Sequence, residues 1–270
     1  MKIESVAVVG STGFIGSNLV NFCRENQINV EQFNSISQRE DFLQMESETL
    51  FIAAPNAEKW KANADPTSDL GSINKLISNL RNCNHPKEVI LFSTVDVYKN
   101  KTNCDESSYG FETVEPYGRN RRYFEEACLE LFPNTQIMRL PALIGTGLKK
   151  NVLFDLTHGN QLEAVNVNSI FQWFDLSNLS ESIDILRASA IPSVNLVSQP
   201  VSVGEVISEV FPELIIPDDG FYRQTPRAAH YDFISKHASL WSDKNNGYMY
   251  EKSEVITSMK EYKKRLRADG

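Results

Sequence analysis

A tyrosine and an arginine four residues apart, Tyr117 and Arg121, are the side chains of this sequence best suited to move a proton. A tyrosine with an ordinary pKa of about 10 does this at neutral pH only if its phenolate is stabilised, and a nearby cation stabilises it. Residues four apart on a helix share one face, so the Arg121 guanidinium would lie beside the Tyr117 phenol. In the structural alternative, Arg121 is a surface residue of that helix and pairs with Glu125 at the next turn.

A glycine-rich turn near the start of the chain, VVGSTGFIGSNLV, indicates phosphate binding. Gly10, Gly13 and Gly16 fall where a predicted strand ends and a predicted helix begins. Glycines at such positions permit a tight turn and close approach of the backbone to a pyrophosphate, and the helix N-terminus offers unpaired amides to the anion. We therefore predict a dinucleotide-binding turn formed by Gly10, Ser11, Thr12, Gly13, Phe14 and Ile15.

The residues after the second predicted strand bear on the choice between NAD and NADP. An Asp or Glu at that strand end would bind the adenine ribose of NAD, but this chain has Asn34 and Ser35 there. No carboxylate would repel a 2′-phosphate at this position, and Arg39 follows close behind. If the dinucleotide is a nicotinamide cofactor, these residues predict a preference for NADP, while a solvated surface role for Arg39 stays open.

Hydrophobic periodicity predicts an alternation of strands and helices around these residues. The predicted strands cover 3–9, 29–33, 49–54, 88–93, 135–140 and 193–197. The predicted helices cover 14–24, 68–81, 119–131 and 251–265. Such alternation indicates an α/β fold of the Rossmann type, in which helices cover both faces of a doubly wound parallel sheet.

The sequence changes character near residue 143, where glycines and lysines interrupt the pattern and weaker elements follow. We predict a dinucleotide-binding domain over 1–142, with 177–198 adding to its sheet. A smaller substrate-binding region would then consist of 143–176 and 199–270.

Composition excludes several classes of protein. The chain has 270 residues, is 41% hydrophobic and 23% charged, and carries a formal charge of -8, which disfavours nucleic acid and anionic membranes as partners. Its four cysteines and four histidines are scattered without a CxxC pair, so we expect no metal site. No apolar run is long enough to span a membrane and no signal-peptide pattern opens the chain, so we expect a cytoplasmic protein.

The glycine spacing G-x-x-G-x-x-G resembles that of the extended short-chain dehydrogenase/reductases, the NAD-dependent epimerase/dehydratase family, and further motifs follow in the family's order. They are Ala53-Ala54, Asp65-Pro66, Asn74, Ser93-Thr94-Val95-Asp96-Val97-Tyr98, Pro116-Tyr117-Gly118-Arg119-Asn120-Arg121 and Arg139-Leu140-Pro141-Ala142. The resemblance implies that Thr94, Tyr117 and Arg121 are catalytic. It further implies that the cofactor contacts Ala53, Ala54, Ser93, Tyr117, Arg121, Leu140 and Pro141.

On this resemblance, the protein is an NAD(P)-dependent oxidoreductase that acts on a nucleotide-sugar or a similar carbonyl or alcohol substrate, by ketoreduction or by epimerisation. We assign Asp96, Lys149 and Arg223 to the substrate, but for the two basic residues a solvated surface role is the favoured alternative. Relatives commonly dimerise through helices flanking the sheet, so the apolar faces of 68–81 and 119–131 make a homodimer the expected state.

Two departures from the family pattern leave a rival function open. Arg121 stands where the family has lysine, and the two differ in shape and hydrogen-bond geometry. Val95-Asp96 replaces the Asp-Glu pair of the family's dehydratases, which disfavours a sugar 4,6-dehydratase. The rival is a redox sensor or scaffold that binds the dinucleotide without turnover; Arg121 favours it, whereas Thr94 and Tyr117 speak against it.

Overall fold

The computed structural model describes residues 3–34, 37–84, 86–108, 115–214, 227–244 and 246–269. Ser35 and Arg223, two predicted site residues, lie outside these ranges. Backbone contacts group the chain into two units. The first comprises 1–99, 108–139 and 186–194, and the second comprises 100–107, 140–185 and 195–270. The domain boundaries given above remain a prediction.

The strands of the described residues are short, and most of their residues are buried. In chain order they are β1 Ser5–Val9, β2 Asn29–Phe33, β3 Thr49–Ile52, β4 Glu88–Thr94, β5 Thr135–Leu140, β6 Ala142–Ile144, β7 Ile170–Phe171, β8 Trp173–Asp175, β9 Ser193–Asn195 and β10 Val201–Ser202.

The α-helices lie between these strands or follow them in the chain. They are α1 Phe14–Glu25, α2 Arg39–Leu43, α3 Lys59–Ala64, α4 Pro66–Leu80, α5 Pro116–Leu131, α6 Val152–His158, α7 Leu179–Ser189, α8 Val203–Val210 and α9 Lys252–Asp269. Both α4 and α5 begin with a proline in the first turn, where its fixed φ suits the helix and its missing N–H costs nothing.

A six-stranded sheet of order β2-β1-β3-β4-β5-β9 forms the framework of the first unit. The β1–β2, β1–β3 and β3–β4 pairs are parallel. Alternate residues of the central strands, such as Val9, Ile52 and Leu91, join a core with Ile73 of α4 and Phe124 of α5. This arrangement confirms the predicted α/β class with a doubly wound parallel sheet.

The second unit contains two small sheets, a parallel β6–β8 pair and an antiparallel β7–β10 pair. The fully buried Gln172 joins neighbouring segments, because its amide nitrogen donates to the carbonyl oxygens of Ser198 and Phe233 and its amide oxygen accepts from the Phe233 amide. Among the residues that the structure describes, no helix is both long and apolar enough to cross a bilayer.

Candidate active site

The glycine-rich turn is a tight backbone arrangement between β1 and α1. Gly10 has a φ of +85°, and a Cβ at this position would lie 2.4 Å from the carbonyl oxygen of Ala53. A Cβ on Gly16 would lie 2.1 Å from the carbonyl oxygen of Gly10. Both distances are below any normal contact, so only glycine fits at these two positions. The strand end, the turn and the helix are thereby held in close contact.

The N-terminus of α1 lacks a side-chain cap, since Gly13 is its N-cap residue. The Ser17 hydroxyl and the Asn18 side-chain amide donate to the carbonyl oxygen of Phe14. The Ser11 hydroxyl is buried and has no hydrogen-bond partner within the described ranges. Uncapped amides and an unpaired hydroxyl at a helix N-terminus suit an anion such as a pyrophosphate.

Tyr117 lies in the first turn of α5 and is 6% exposed. Its amide donates to the Asn63 side-chain oxygen at 2.9 Å, and the Arg121 guanidinium carbon lies 4.5 Å from its ring centroid. Burial raises the pKa of the Tyr117 phenol, the Arg121 charge opposes that rise, and the Asp96 carboxylate adds to it. The structure therefore brings Tyr117 and Arg121 together as the spacing predicts.

Arg121 is buried and pairs with Asp69 of α4, which sequence reasoning did not foresee. Its two terminal nitrogens donate to the two carboxylate oxygens of Asp69 at 3.0 and 2.9 Å, and one of them also donates to the carbonyl oxygen of Asn56 at 2.6 Å. The side chain is 5% exposed and its Nε–H has no partner in the described chain. The alternative of a surface Arg121 paired with Glu125 is therefore wrong.

Thr94 ends β4 and begins a short 3₁₀ turn, Val95–Val97, in which its hydroxyl oxygen accepts from the Asp96 amide at 3.1 Å. The Asp96 carboxylate lies 2.9 Å from the Lys59 ammonium, which is also 3.1 Å from Glu115. The Asp96 carboxylate, two residues after Thr94, raises the pKa of Tyr117 at the start of α5, so charges at the end of β4 influence the ionisation of that phenol. Lys59 is a charged neighbour that the sequence did not identify.

A second buried ion pair holds the same strand end. The Arg139 guanidinium makes two hydrogen bonds to Glu125, at 3.0 and 2.8 Å, and a third to the Tyr98 hydroxyl at 2.7 Å. Glu125 also accepts from Ser93 at 2.6 Å and from Arg122 at 3.2 Å. Burial lowers the pKa of Arg139, but Glu125 outweighs it and the pKa is raised. Ser93, predicted to contact the cofactor, is thus a hydrogen-bond donor within this network.

The remaining predicted residues are more scattered. Ala53 and Ala54 directly follow β3 and are half-buried, and the Asn34 amide donates to the Ser37 hydroxyl. Arg39 is exposed at the start of α2. The other three belong to the second unit: Leu140, Pro141 and the exposed Lys149.

Comparison with protein families gives one match over more than half of the chain. The model of the NAD-dependent epimerase/dehydratase family matches residues 6–158, a range that includes the glycine-rich turn, Thr94, Tyr117 and Arg121. A search of curated proteins finds no significant match.

Several solved structures share the fold across nearly the whole chain. UDP-N-acetylglucosamine 4-epimerase from Methanobrevibacter ruminantium, in complex with UDP-N-acetylmuramic acid, aligns with a TM-score of 0.71 and 16% identity over 100% of both chains. RMD from Pseudomonas aeruginosa, complexed with NADPH, aligns with a TM-score of 0.68 and 16% identity over 97% of this chain and 99% of that one. MoeE5, in complex with UDP-glucose and NAD, aligns with a TM-score of 0.71 and 15% identity over 97% of this chain and 99% of that one.

The structural alignments, at these low identities, show the fold, and the match to the family model shows the family. The predicted resemblance is confirmed, and the chain belongs to the NAD-dependent epimerase/dehydratase family, enzymes of the extended short-chain dehydrogenase/reductase type.

Proposed function

We propose that this enzyme transfers a hydride between a nicotinamide dinucleotide and a carbon atom of a nucleotide-linked sugar, the step that ketoreduction and epimerisation share. The observation that carries the proposal is the buried Tyr117 phenol with the Arg121 guanidinium over its ring. A positioned phenol can exchange a proton with the substrate oxygen, and Thr94 at the end of β4 offers a second hydroxyl to the same atom.

The first unit fits a dinucleotide. Gly10 and Gly16 have no Cβ and so permit the close backbone packing of the turn, the N-terminus of α1 is uncapped, and the Ser11 hydroxyl has no partner among the described residues. These groups would hold the pyrophosphate, with Ala53 and Ala54 beside the adenosine. When bound, the nicotinamide supplies or accepts the hydride.

The preference for NADP depends on Arg39. Its side chain is exposed and makes no hydrogen bond or ion pair to the described part of the chain, so it is available to a 2′-phosphate. A charge-assisted bond of about 1.5 to 3 kcal/mol would favour NADPH over NADH by about 10-fold to 150-fold. Calorimetry on Arg39→Ala should show that preference lost, whereas Arg24→Ala, an exposed arginine of α1, should retain it. Equal affinities in the native enzyme would contradict the assignment.

Support for a nucleotide-sugar substrate comes from two neighbours of the same fold that were solved with UDP-N-acetylmuramic acid and UDP-glucose. Lys149 and Arg223 are our candidates for the substrate diphosphate, and Asp96 for the sugar. Asp96 is already paired with Lys59, so a sugar hydroxyl would have to share that carboxylate.

The experiment that tests the proposal measures cofactor binding and turnover separately. We expect the native enzyme to bind NADPH and to oxidise it with a member of a panel of keto-sugar nucleotides or to epimerise a UDP-sugar. Tyr117→Phe should keep the cofactor affinity and abolish turnover, because it removes only the hydroxyl. The paired state of Arg121 favours the rival, a dinucleotide-binding sensor or scaffold. Tight cofactor binding without turnover across the panel would select that rival.

The homodimer and the cytoplasmic location remain predictions. Trp60 of α3 is 71% exposed, and Tyr123 and Leu129 of α5 are also exposed, so α3 and α5 each offer apolar surface to a second copy. Sedimentation of the native enzyme and of a Tyr123→Asp, Leu129→Asp double variant would test the dimer.

A further inference from the structure

The positive charge of Arg121 is compensated by the adjacent carboxylate of Asp69. Asp69 takes two hydrogen bonds from the guanidinium and a third, at 2.9 Å, from the side-chain amide of Asn120. The side chains of Arg121 and Asp69 are 5% and 13% exposed, so solvent screens neither charge well. A cation in a bidentate pair with a buried carboxylate acts on its surroundings more as a dipole than as a full charge.

The orientation of Arg121 is fixed as well as its charge. Asp69 reaches it from the first turn of α4, and Asn56 reaches it from the loop after β3. Both terminal nitrogens are therefore engaged, and the guanidinium is held over the Tyr117 ring, 4.5 Å from its centroid. A lysine at this position has one nitrogen on a flexible stem and could not make the same set of bonds.

The other charges around Tyr117 leave its phenol protonated. From the 3₁₀ turn after β4, Asp96 raises its pKa; from α3, Lys59 lowers it, but Lys59 is itself paired with Asp96 and with Glu115. Burial is the largest influence and raises the pKa, and Arg121 only partly opposes it. At neutral pH the phenol is thus suited to give a proton and poorly suited to take one.

We propose that Asp69 is a positioning residue that orients and neutralises Arg121, so that Tyr117 acts as a neutral proton donor and the site is set for carbonyl reduction over alcohol oxidation. The inference rests on the proposed function. A bound reduced nicotinamide would supply a hydride to the substrate carbonyl carbon, and Tyr117 would give its proton to the carbonyl oxygen, which yields an alcohol. Water then returns a proton to the phenolate. Epimerisation, which begins by removing a proton from an alcohol, would need the phenolate first.

The test measures the ionisation of Tyr117 directly, without cofactor or substrate. Tyrosine labelled with ¹³C at Cζ is titrated by NMR, and the Tyr117→Phe spectrum assigns the resonance. In Asp69→Asn, which keeps the shape but removes the charge, we expect the Tyr117 titration about one pH unit or more lower, because Arg121 then acts as an uncompensated cation. In Arg121→Met it should move higher. An unchanged or higher titration in Asp69→Asn would overturn the proposal.

A double variant covers the case in which Asp69→Asn does not fold. Asp69→Leu with Arg121→Met removes both buried charges, and such exchanges are often tolerated. If the pair is compensated, Tyr117 should titrate within about half a unit of its native value; a rise of more than about one unit would show that Arg121 acts uncompensated and would refute the proposal. Arg119→Met, an exposed arginine of the same helix, is the matched control and should change nothing.

The pH dependence of turnover gives an independent readout. Reduction by a neutral donor is fastest below the Tyr117 pKa and falls as the pH rises through it, whereas oxidation follows the opposite course. We expect the native reduction rate to be flat through the neutral range and its fall in Asp69→Asn to begin at lower pH. A native enzyme whose reduction rate already declines between about pH 6 and 8 would contradict the inference. If Tyr117 titrates as expected but no substrate turns over, the proposed function fails and the electrostatic role of Asp69 stands.

Discussion

Removing the charge of the buried Glu125 should destabilise the first unit far more than removing the charge of the adjacent Glu126. Glu125 is 1% exposed and compensates the Arg139 guanidinium, which is 4% exposed, through two hydrogen bonds of 3.0 and 2.8 Å. Glu125→Gln keeps the shape but leaves that guanidinium buried without an anion. Breaking a buried ion pair from one side costs about 3 to 5 kcal/mol.

For a unit of this size, each kcal/mol lowers the melting temperature by about 2 to 4 °C, so we expect a decrease of about 6 to 20 °C in Glu125→Gln. Glu126→Gln is the matched control, because Glu126 is 50% exposed and lies 3.5 Å from Arg122; its loss should cost less than about 1 kcal/mol. Thermal melts followed by circular dichroism measure both.

A double variant separates charge burial from packing. Glu125→Leu with Arg139→Met removes both charges and should recover much of the lost stability, since apolar replacement of a buried pair is often neutral or favourable. A Glu125→Gln variant that melts with the native protein would refute the reasoning, because the guanidinium would then not depend on this carboxylate.

Three further outcomes are expected. Thr94→Val should lower turnover about 10-fold to 1000-fold at unchanged cofactor affinity, while Thr94→Ser, which keeps the hydroxyl, should retain most of the rate, as steady-state kinetics and calorimetry would show. Gly16→Ala should abolish NADPH binding or folding because its Cβ would lie 2.1 Å from a backbone oxygen, whereas Gly71→Ala, in an open position of α4, should be tolerated or stabilising by up to about 1 kcal/mol in chemical unfolding. Burial raises the pKa of the Cys83 thiol to about 12, and that of Cys128 further still, so a thiol reagent at about pH 8 should leave both unmodified until the protein is unfolded in urea.

The central strands and the long helices could be predicted from the sequence because their signal is local. In Glu88–Thr94, for example, four consecutive apolar residues form the centre of the strand, and Asp65-Pro66 marks the start of α4 as an N-cap followed by a proline. The short helices α2 and α3 were not predicted, since five or six residues carry too little periodicity to register.

The partners of the site residues could not be predicted because they are distant in sequence. Asp69 precedes Arg121 by 52 residues and Asn63 precedes Tyr117 by 54, and nothing in one sequence links such positions. The spacing of Arg121 and Glu125 did indicate a local ion pair. That pair does not form, because both side chains are buried and each has a partner on another element. Arg121 pairs with Asp69 of α4, and Glu125 pairs with Arg139 of β5.

The discontinuity of the first unit has a consequence for biosynthesis. Its last strand, β9, lies at the edge of the six-stranded sheet beside β5, yet it follows β5 only after the stretch 140–185 of the second unit has been translated. At about 5 to 20 residues per second, a ribosome needs about 2 to 9 s for this stretch. During that interval the nascent β5, TQIMRL, presents unpaired backbone N–H and C=O groups to any other extended chain. Slow translation between these strands should therefore reduce the yield of soluble protein more than an equal delay after residue 195.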